Sequence, residues 1–257
     1  MSSARPPETA AEAASQPGRD PERIEAMFDA IVPRYDLMNR LMTAGLDRVW
    51  RTAAAAAAAP PPAAPLLDAC CGTGDLSLAL MRVHPASPVT GLDFSAAMLD
   101  RARRKAHEAG LEVEFVRGDL LELPFDDDAF GAATVGWGVR NVARLEGAFA
   151  ELARVTRPGG RVVCLEATRP ASALGRRFHA VWFERVVPAM GALAGAAEAY
   201  AYLPASVRSF PDADGLAAVM RSAGLTRVRY QRLGFGAMAL HVGEVPAATS
   251  APPRATS

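Results

Sequence analysis

The stretch Leu66–Leu80, LLDACCGTGDLSLAL, decides how the rest of the chain can be interpreted. Its apolar start predicts a short buried strand, a glycine turn follows, and the residues after the turn have the apolar periodicity of a helix. Gly72 and Gly74 allow backbone angles and a close approach that a side chain would block. A strand, turn and helix in this order direct backbone N–H groups and the positive end of the helix dipole at one point. We therefore predict that a polar or anionic ligand binds at this turn.

Two more acids follow predicted strands at intervals that suit a nucleotide. The strand Pro88–Asp93 ends in a carboxylate about 20 residues after the glycine turn, the spacing at which α/β nucleotide-binding units place an acid on the ribose hydroxyls. A third strand, Leu111–Arg117, is followed by Asp119. With Asp68 or Asp75 near the turn, these carboxylates would share the carboxyl edge of a parallel sheet, where ligands bind.

The turn itself favours S-adenosylmethionine over a nicotinamide dinucleotide. Ser77 stands where a dinucleotide-binding turn has its third glycine, and Asp75 would repel a pyrophosphate. A cofactor without phosphates does not need that glycine, and Asp119 would then serve its adenine. A nicotinamide-dependent oxidoreductase on a similar sheet is the alternative.

The remaining predicted elements alternate between helices and strands. This order predicts an α/β fold with a doubly wound sheet that ends in an antiparallel hairpin. Pro158-Gly159-Gly160 is expected to end a helix before the next strand begins. The helices are predicted at Ala96–Ala109, Val142–Thr156 and Pro211–Ala223, and the strands at Phe130–Gly136, Arg161–Ala167, Leu225–Leu233 and Phe235–Val242.

Segments on either side of this core differ from it in composition. Residues 1–20 and 246–257 have little to bury and are predicted to be disordered, which leaves one domain over residues 21–245. Residues 21–52 are predicted to form amphipathic N-terminal helices, which either support the domain or cover a substrate. Residues 172–205 are apolar and broken by proline and glycine, and they are expected to form an inserted helical cap. The run Ala53–Ala64 is expected to be a connector without chemistry.

Charge and cysteine content exclude several classes of protein. The 28 basic and 28 acidic side chains balance, so no overall field would attract nucleic acid. The cysteines are too few and too badly spaced for a disulfide framework or a tetrahedral zinc site, and no metal site is predicted. The chain shows neither a secretory leader nor about 18 consecutive uncharged apolar residues. We therefore expect a soluble cytoplasmic protein, and the sequence leaves its oligomeric state open.

Two groups of motifs resemble those of known methyltransferases. The first group resembles motifs of the class I S-adenosylmethionine-dependent methyltransferases. It comprises DACCGTGD (68–75), GLDFS (91–95), LPF (123–125), GVRNV (138–142) and RVTRPGGRVVCLE (154–166). The second group resembles motifs of the C-methyltransferases of menaquinone and ubiquinone biosynthesis. It comprises PRYDLMNRLMTAGLDRVWR (33–51), AYAYLPASVRSFPD (199–212) and ALHVG (239–243). The resemblance covers roughly residues 25–243 in family order. Many methyltransferases share the first group, so the second group decides the subfamily.

The resemblance implies a Rossmann-like, seven-stranded, mostly parallel sheet, with S-adenosylmethionine as cofactor. It also implies a prenylated quinol methylated on a ring carbon, as when demethylmenaquinol becomes menaquinol. A benzoquinol of the ubiquinone pathway, another small-molecule acceptor, and a methyltransferase-like subunit without activity remain as alternatives. The cofactor residues that follow from the resemblance are Gly72, Thr73, Gly74, Asp93, Asp119, Leu120 and Gly136.

Three positions depart from the family pattern. Gly136 stands where relatives often have a serine, so any side-chain bond there is lost. Gly131 replaces an acid, and Trp137 replaces a phenylalanine. The replacements at Gly131 and Trp137 are expected to reshape the quinone pocket. None of the three changes touches the glycine turn or Asp93.

The chemistry of ring methylation predicts the type of catalytic residue. A ring carbon becomes nucleophilic when the neighbouring hydroxyl ionises, and an ordinary phenol has a pKa near ~10. The enzyme must stabilise the phenolate, hold it in line with the methyl group and exclude water. The predicted catalytic residues are Tyr35, Arg140 and Asn141, and further candidates are Arg34, Tyr200 and Tyr202. His241 is a candidate base, although a lone histidine in a terminal strand is more often structural.

A prenylated substrate also bears on where the protein works. The N-terminal helices and the cap are expected to close over the quinol, whose tail has to lie along apolar surface. A peripheral membrane contact through the cap is therefore expected. The predicted contacts with lipid phosphates are Arg176, Arg177 and Arg185.

Overall fold

The computed structural model of the chain describes residues 21–182, 186 and 206–247. These residues form a seven-stranded sheet in the order β3-β2-β1-β4-β5-β7-β6. Neighbouring strands are parallel except for β7, which runs antiparallel to both β5 and β6. The predicted fold class is therefore confirmed. The strands are β1 (Leu66–Ala69), β2 (Val89–Asp93), β3 (Glu114–Arg117), β4 (Phe130–Gly136), β5 (Thr156–Ala167), β6 (Thr226–Leu233) and β7 (Met238–Glu244).

Seven helices accompany these strands in the described part of the chain. None of them is long and apolar enough to cross a membrane. The predicted disorder at residues 1–20 lies outside the described residues, as does most of the predicted tail and of the predicted cap, including Arg185, Tyr200 and Tyr202. The helices are α1 (Pro21–Met42), α2 (Leu46–Ala58), α3 (Asp75–Val83), α4 (Ala96–Glu108), α5 (Leu145–Arg154), α6 (Ala173–Val181) and α7 (Ala213–Ser222).

Strand β1 lies at the point where the strand order reverses. It pairs with β2 on one side, where Ala69 faces Leu92, and with β4 on the other, where Ala69 faces Val135. The connections that leave these strands therefore diverge and open a crevice beyond their carboxyl ends. This crevice is where an open α/β sheet places its ligand.

Alternating residues of the central strands bury opposite faces of the sheet. On one face, Leu67 and Val162 pack with Phe149 of α5 in a cluster that also includes residues of α7. On the other face, Leu66 and Val163 pack against α2 and α3. Full burial of a leucine side chain stabilises the fold by about 1.5–3 kcal/mol. The two clusters fix β1 and β4, and these two strands carry the crevice.

The alanine run is more than the connector that its composition suggested. Ala54, Ala55 and Ala58 are fully buried on the inner side of α2, which packs on the sheet. Alanine has a short side chain and the best helix propensity, so α2 can lie close to the strands without bending. Only residues 59–65, which include the prolines, form the expected connection to β1.

Three strand boundaries differ from the prediction by three or more residues. Strand β7 begins at Met238 rather than Phe235, because Gly234–Gly236 forms a short 3-10 helix. Strand β3 begins at Glu114 rather than Leu111. Strand β5 begins at Thr156 and includes the Pro-Gly-Gly segment that was expected to precede it. The pairing with β4 is interrupted there, because Phe130 faces Thr156 while Ala132 faces Arg161. The extra residues are held by β7, since the Gly159 N–H donates to the carbonyl oxygen of Val245 at 3.0 Å.

Candidate active site at the carboxyl edge of the sheet

A cavity lies at the carboxyl ends of β1, β2 and β4, beside α1. It occupies the crevice at the switch point, so its place in the fold is that of a ligand site. Its lining combines residues of the turns after β1, β2, β3 and β4 with aromatic and aliphatic side chains. The lining residues are Tyr35, Cys70, Gly72, Leu92, Asp93, Phe94, Met98, Gly118, Asp119, Leu120, Leu121, Gly136, Trp137, Gly138, Asn141, Val142 and Ala143.

The glycine turn between β1 and α3 has a left-handed backbone. Cys70, Gly72 and Gly74 have φ angles of 53°, 54° and 80°. At Gly74 a side chain is excluded for a second reason, because a Cβ atom there would lie 3.0 Å from the Cβ of Ala102 in α4. The turn therefore packs closely on α4 while the Gly72 backbone faces the cavity.

Asp93 is held by backbone groups on both sides of the cavity. Its Oδ2 accepts a hydrogen bond from the Gly72 N–H at 2.8 Å, and its Oδ1 accepts one from the Ser95 N–H at 3.0 Å. Ser95 in turn caps α4 by accepting from the Met98 N–H at 3.0 Å. The carboxylate is thus placed at the cavity wall by charge-assisted bonds that do not depend on a ligand.

The turn after β3 supplies a flatter part of the wall. Asp119 accepts a hydrogen bond from the Leu121 N–H at 2.8 Å, which closes a tight turn. Asp119, Leu120 and Leu121 all line the cavity, and Phe94 and Met98 lie on its other side. A carboxylate beside apolar side chains in a narrow cleft suits the amino edge and the faces of an aromatic base.

Two of the predicted cofactor residues do not line this cavity. Gly74 precedes the first residue of α3, and Thr73 is directed toward the N-terminal helix. The Thr73 hydroxyl donates to Asp36 of α1 at 2.5 Å and lies 3.2 Å from the Lys105 ammonium. The glycine turn is therefore tied to α1 through a side chain that is almost completely buried.

Asp75 belongs to the same polar cluster behind the turn. Lys105, the single lysine of the chain, contacts Asp75 at 2.5 Å and Asp36 at 3.0 Å, and Arg51 lies 3.6 Å from Asp75. Burial raises the pKa of the Asp75 carboxyl, but the charges of Arg51 and Lys105 outweigh it and hold the pKa below its ordinary value. Asp75 is thus ionised and paired, facing away from the cavity.

Arg140 is placed differently from the prediction that it would contact a quinol. Its guanidinium is buried, donates to Glu166 of β5 at 2.7 Å and donates to the carbonyl oxygen of Trp137 at 2.7 Å. Arg140 is not among the residues that line the cavity, whereas its neighbours Trp137 and Asn141 are. Its charge therefore acts from behind the wall, where Glu166 balances it.

Tyr35 lines the cavity from α1 and faces Asn141 of the β4–α5 connection across the site. Burial raises the pKa of the Tyr35 phenol, while a hydrogen bond from Asn39 and the charges of Arg140 and Arg51 lower it. The net effect is upward, so the hydroxyl is protonated at neutral pH and can donate a hydrogen bond. The predicted catalytic residues Tyr35 and Asn141 thus share one cavity with Gly72, Asp93, Asp119, Leu120 and Gly136.

Several site residues were not identified from the sequence. Glu166 was missed although it follows the same pattern as Asp93, an acid at the end of a buried strand. Asp36 lies in a motif of the resemblance, but the sequence did not show that it meets Lys105, because that contact depends on how α1 packs on α4. Phe94 and Met98 are ordinary apolar residues whose place in the cavity wall only the tertiary structure reveals.

The family departures are explained by packing. A Cβ atom at Gly131 would lie 2.6 Å from the Cβ of Ala64, so the proline-rich connection requires glycine there. A Cβ atom at Gly136 would lie 3.1 Å from the Leu76 side chain. Trp137 has a φ of 56°, donates from Nε1 to the Met238 sulfur at 3.3 Å, and lies under the Arg51 guanidinium at 4.8 Å. The larger aromatic ring thus joins the cavity wall to α2.

Two further candidates lie away from the cavity lining. Arg34 is exposed on α1. His241 is fully buried in β7, where its Nε2 is 2.8 Å from the carbonyl oxygen of Ala213 and its ring lies 5.0 Å from that of Tyr230. Burial lowers the pKa of His241. These contacts fit the structural interpretation of this histidine.

Comparison with known proteins decides the family. The model of the ubiE/COQ5 methyltransferase family matches residues 17–245. The chain belongs to this family. It is 47% identical over 221 residues to the demethylmenaquinone methyltransferase of Thermus thermophilus, which covers 86% of this chain and 100% of the relative. It is also 47% identical over 228 residues to the demethylmenaquinone methyltransferase of Roseiflexus castenholzii, covering 88% of this chain and 95% of the relative.

Solved structures agree on the fold. An S-adenosylmethionine-dependent methyltransferase from Thermotoga maritima superimposes with a TM-score of 0.61, covering 85% of this chain and 98% of its own at 19% identity. At that identity the likeness concerns the fold alone. The family membership favours a methyltransferase over a nicotinamide-dependent oxidoreductase. The sequence argument that Asp75 would repel a pyrophosphate does not hold, because Asp75 is paired with Lys105 and does not line the cavity.

Proposed function

We propose that the protein binds S-adenosylmethionine in the cavity and methylates a ring carbon of demethylmenaquinol to give menaquinol. The observation that carries the proposal is that five of the seven predicted cofactor residues line the same cavity as two of the three predicted catalytic residues, Tyr35 and Asn141. Gly72 and Asp93 would hold the ribose and methionine end, and Asp119 with Leu120 would hold the adenine. Gly136 would lie below the methionine end, where the absence of a side chain leaves room for it.

The naphthoquinol acceptor is supported by the names of the relatives, since those at 47% identity are named demethylmenaquinone methyltransferases. The stretches 33–51, 199–212 and 239–243 resemble the quinone C-methyltransferases of both pathways and therefore support a quinol acceptor in general. The alternative acceptor is a benzoquinol of the ubiquinone pathway. Trp137 enlarges the aromatic wall of the cavity and would stack on the wider of the two ring systems.

The chain's own residues would promote the reaction by position and charge. The bound cofactor supplies an electrophilic methyl group on sulfur, which is transferred to the ring carbon as the sulfonium becomes a thioether. Tyr35 and Asn141 would hydrogen-bond the quinol oxygen and favour its ionised form. Arg140 would add positive charge from behind the wall, and Trp137 would exclude water. The ring carbon loses its proton after transfer, which restores aromaticity.

A labelled-methyl transfer assay tests the proposal. The full chain is given S-adenosylmethionine with a labelled methyl group and, side by side, reduced demethylnaphthoquinone and reduced demethylbenzoquinone. Label is expected on the naphthoquinol ring. Transfer to the benzoquinol alone would assign the protein to the ubiquinone pathway, and transfer to neither quinol would contradict the proposal.

The prenyl tail of the substrate extends the proposal to the membrane. A long polyprenyl chain partitions into lipid, so an enzyme that methylates its headgroup gains by working at the bilayer surface. Arg176 and Arg177 are exposed on α6 and would contact lipid phosphates, as predicted. A flotation assay in which the protein binds no vesicles, with or without substrate, would count against this part.

A further inference from the structure

Large apolar side chains are exposed in one region of the described chain. Their exposed fractions range from 44% to 82%. A water-soluble surface tolerates such residues singly, but a group of them marks an interaction site. They are Leu37, Leu41, Leu46, Val49, Val181 and Phe235.

The elements that carry these side chains contact one another. Helices α1 and α2 are consecutive and joined by a short turn. The indole N–H of Trp182, next to Val181, donates to the carbonyl oxygen of Met42 at the end of α1, 3.1 Å away. A Cβ atom on Gly234, next to Phe235, would lie 2.7 Å from the Trp50 ring of α2. The exposed apolar residues therefore form a local group.

The exposed charges at the end of α1 and the start of α2 are basic. Earlier on α1, Asp29 is an exposed acid, and its carboxylate accepts a hydrogen bond from the Ser95 hydroxyl at 2.5 Å. Within residues 31–49, the exposed charged side chains are Arg34, Arg40 and Arg48. The acids of the same stretch turn inward, where Asp36 binds Thr73 and Lys105, and Asp47 pairs with Arg51. The whole chain has a net charge of +0, so this basic bias is local.

The arginines also border a broad groove next to the exposed leucines. Its lining includes Leu37, Arg40 and Arg48, together with Arg82 and Arg101 from α3 and α4. Acids line it as well: Asp36, Asp47 and Asp75 are paired with Lys105 or Arg51, and Glu108 is exposed. A guanidinium fork binds phosphate oxygens in pairs. An apolar rim beside such a groove matches the layering of a membrane surface, where phosphates lie above acyl chains.

We propose that the surface formed by Leu37, Leu41, Leu46 and Val49 with Arg34, Arg40 and Arg48, the α1–α2 face, docks on an anionic lipid bilayer. The apolar side chains enter the boundary between headgroups and acyl chains, and the arginines bind lipid phosphates. The inference rests on the proposed function, since it names the partner that presents the prenylated substrate. It also moves the main membrane contact from the cap to the N-terminal helices.

Docking through this face brings the active-site cavity to the bilayer. Residues of a helix are about 100° apart, so Leu37 and Leu41 lie on the side of α1 opposite Tyr35. Tyr35 lines the cavity. Only α1 thus separates the lipid from the acceptor site. The distance from the membrane to the acceptor site is the diameter of one helix, ~10 Å.

A second copy of the chain is a weaker occupant. A two-fold interface pairs a surface with itself, so Arg40 and Arg48 would face the same arginines. No described side chain between residues 31 and 49 supplies an exposed carboxylate to balance these two. The phosphates of an anionic lipid surface supply the negative charges that balance these arginines.

Vesicle flotation of the full chain tests the docking face. Vesicles of phosphatidylcholine, with and without phosphatidylglycerol, are compared for the wild type, Arg40→Glu/Arg48→Glu and Leu41→Ser/Val49→Ser. The wild type is expected to float only with the anionic vesicles, and each double variant to lose about 10-fold or more of the bound fraction. Arg221→Glu/Arg229→Glu, on α7 and β6, makes the same charge change elsewhere and is expected to stay within about 2-fold of the wild type.

Two further measurements separate the possible failures. Thermal unfolding of each variant shows whether it folds, and methyl transfer to a short-tailed, water-soluble quinol is expected to stay at the wild-type rate. If the wild type transfers no methyl group but still floats, the proposed function fails and the docking face stands. Equal flotation of the wild type and both face variants overturns the docking face. The docking face is also overturned if the wild type is a dimer in analytical ultracentrifugation and Leu41→Ser/Val49→Ser converts it to a monomer.

Discussion

The two sides of the cavity are built in different ways. On the turn side, Gly72, Asp93 and Asp119 are held by backbone hydrogen bonds between neighbouring strands and turns. On the helix side, Tyr35 and Asn141 come from segments far apart in sequence, and their positions depend on side-chain packing and on the Arg140–Glu166 pair. The positions of residues held by backbone geometry can be predicted from the order of the strands. The positions of residues held by side-chain contacts become known only when the packing of the helices is known.

The largest expected effect concerns the charge pair on the helix side. Arg140→Ala leaves Glu166 buried without its ionic partner, which should lower the free energy of unfolding by about 3–5 kcal/mol. Arg140→Met combined with Glu166→Gln removes both charges and retains an acceptor for the Ala167 N–H, so it should recover most of that loss. Urea unfolding of the three proteins measures the difference.

Methyl transfer by the double variant distinguishes a structural from a catalytic arginine. If Arg140 stabilises the phenolate through its charge, the double variant should transfer methyl groups more slowly than the wild type even though it folds and binds the cofactor with wild-type affinity. Wild-type turnover in the double variant would show that Arg140 only supports the wall.

The next effect tests whether the turn side depends on backbone bonds. Both Asp93 oxygens accept hydrogen bonds from backbone N–H groups, so the amide nitrogen of Asp93→Asn would face another donor. Each hydrogen bond to a charged group contributes about 1.5–3 kcal/mol, so the loss of one should lower cofactor affinity by about 10- to 150-fold. Calorimetric titration with S-adenosylmethionine measures it. Asp100→Asn, exposed on α4, is the control, and similar affinities for both variants would refute the role of Asp93.

The fold and the residue types on both sides of the cavity could largely be predicted, whereas the direction of individual side chains could not. Strand order and the acids after each strand are properties of nearby residues, so Asp93 and Asp119 were identified correctly as neighbours of the glycine turn. Thr73 and Arg140 were identified as functional, but their side chains point to Asp36 and Glu166 rather than into the cavity. Which way such a side chain turns depends on a charged partner that lies far along the chain.

A smaller effect on the helix side is expected from Tyr35→Phe. Only a hydroxyl is removed, and its proton is available for a hydrogen bond because burial raises the pKa of Tyr35. The loss of one donor to a developing phenolate should lower kcat by about 10- to 30-fold without changing cofactor affinity. Tyr230→Phe, whose hydroxyl donates to Asp214 at 2.6 Å on the far edge of the sheet, is the matched control. Full activity of Tyr35→Phe would remove Tyr35 from the mechanism.

The smallest expected effect is a pH dependence of the free energy of unfolding, which arises from Asp68 beneath the turn side. Asp68 is fully buried in β1, and burial raises its pKa to about 7, although hydrogen bonds from Ser77 and Thr134 lower it. Between the unfolded pKa of 3.8 and the folded value, the native state holds a proton that the unfolded state has lost. The contribution of Asp68 to stability is therefore full below that window and declines as the pH rises through it.

Asp68→Asn isolates this contribution because its amide does not titrate. The free energy of unfolding of the wild type, relative to Asp68→Asn, should fall by about 1 kcal/mol per pH unit between pH 5 and pH 7 and level off above it. Urea titrations at four pH values measure the difference, in which the opposite contribution of Asp75 cancels. A difference that stays constant across this range would mean that Asp68 is ionised in the native protein. The turn side would then hold a buried charge, and its construction would resemble that of the helix side more closely than the backbone bonds alone suggest.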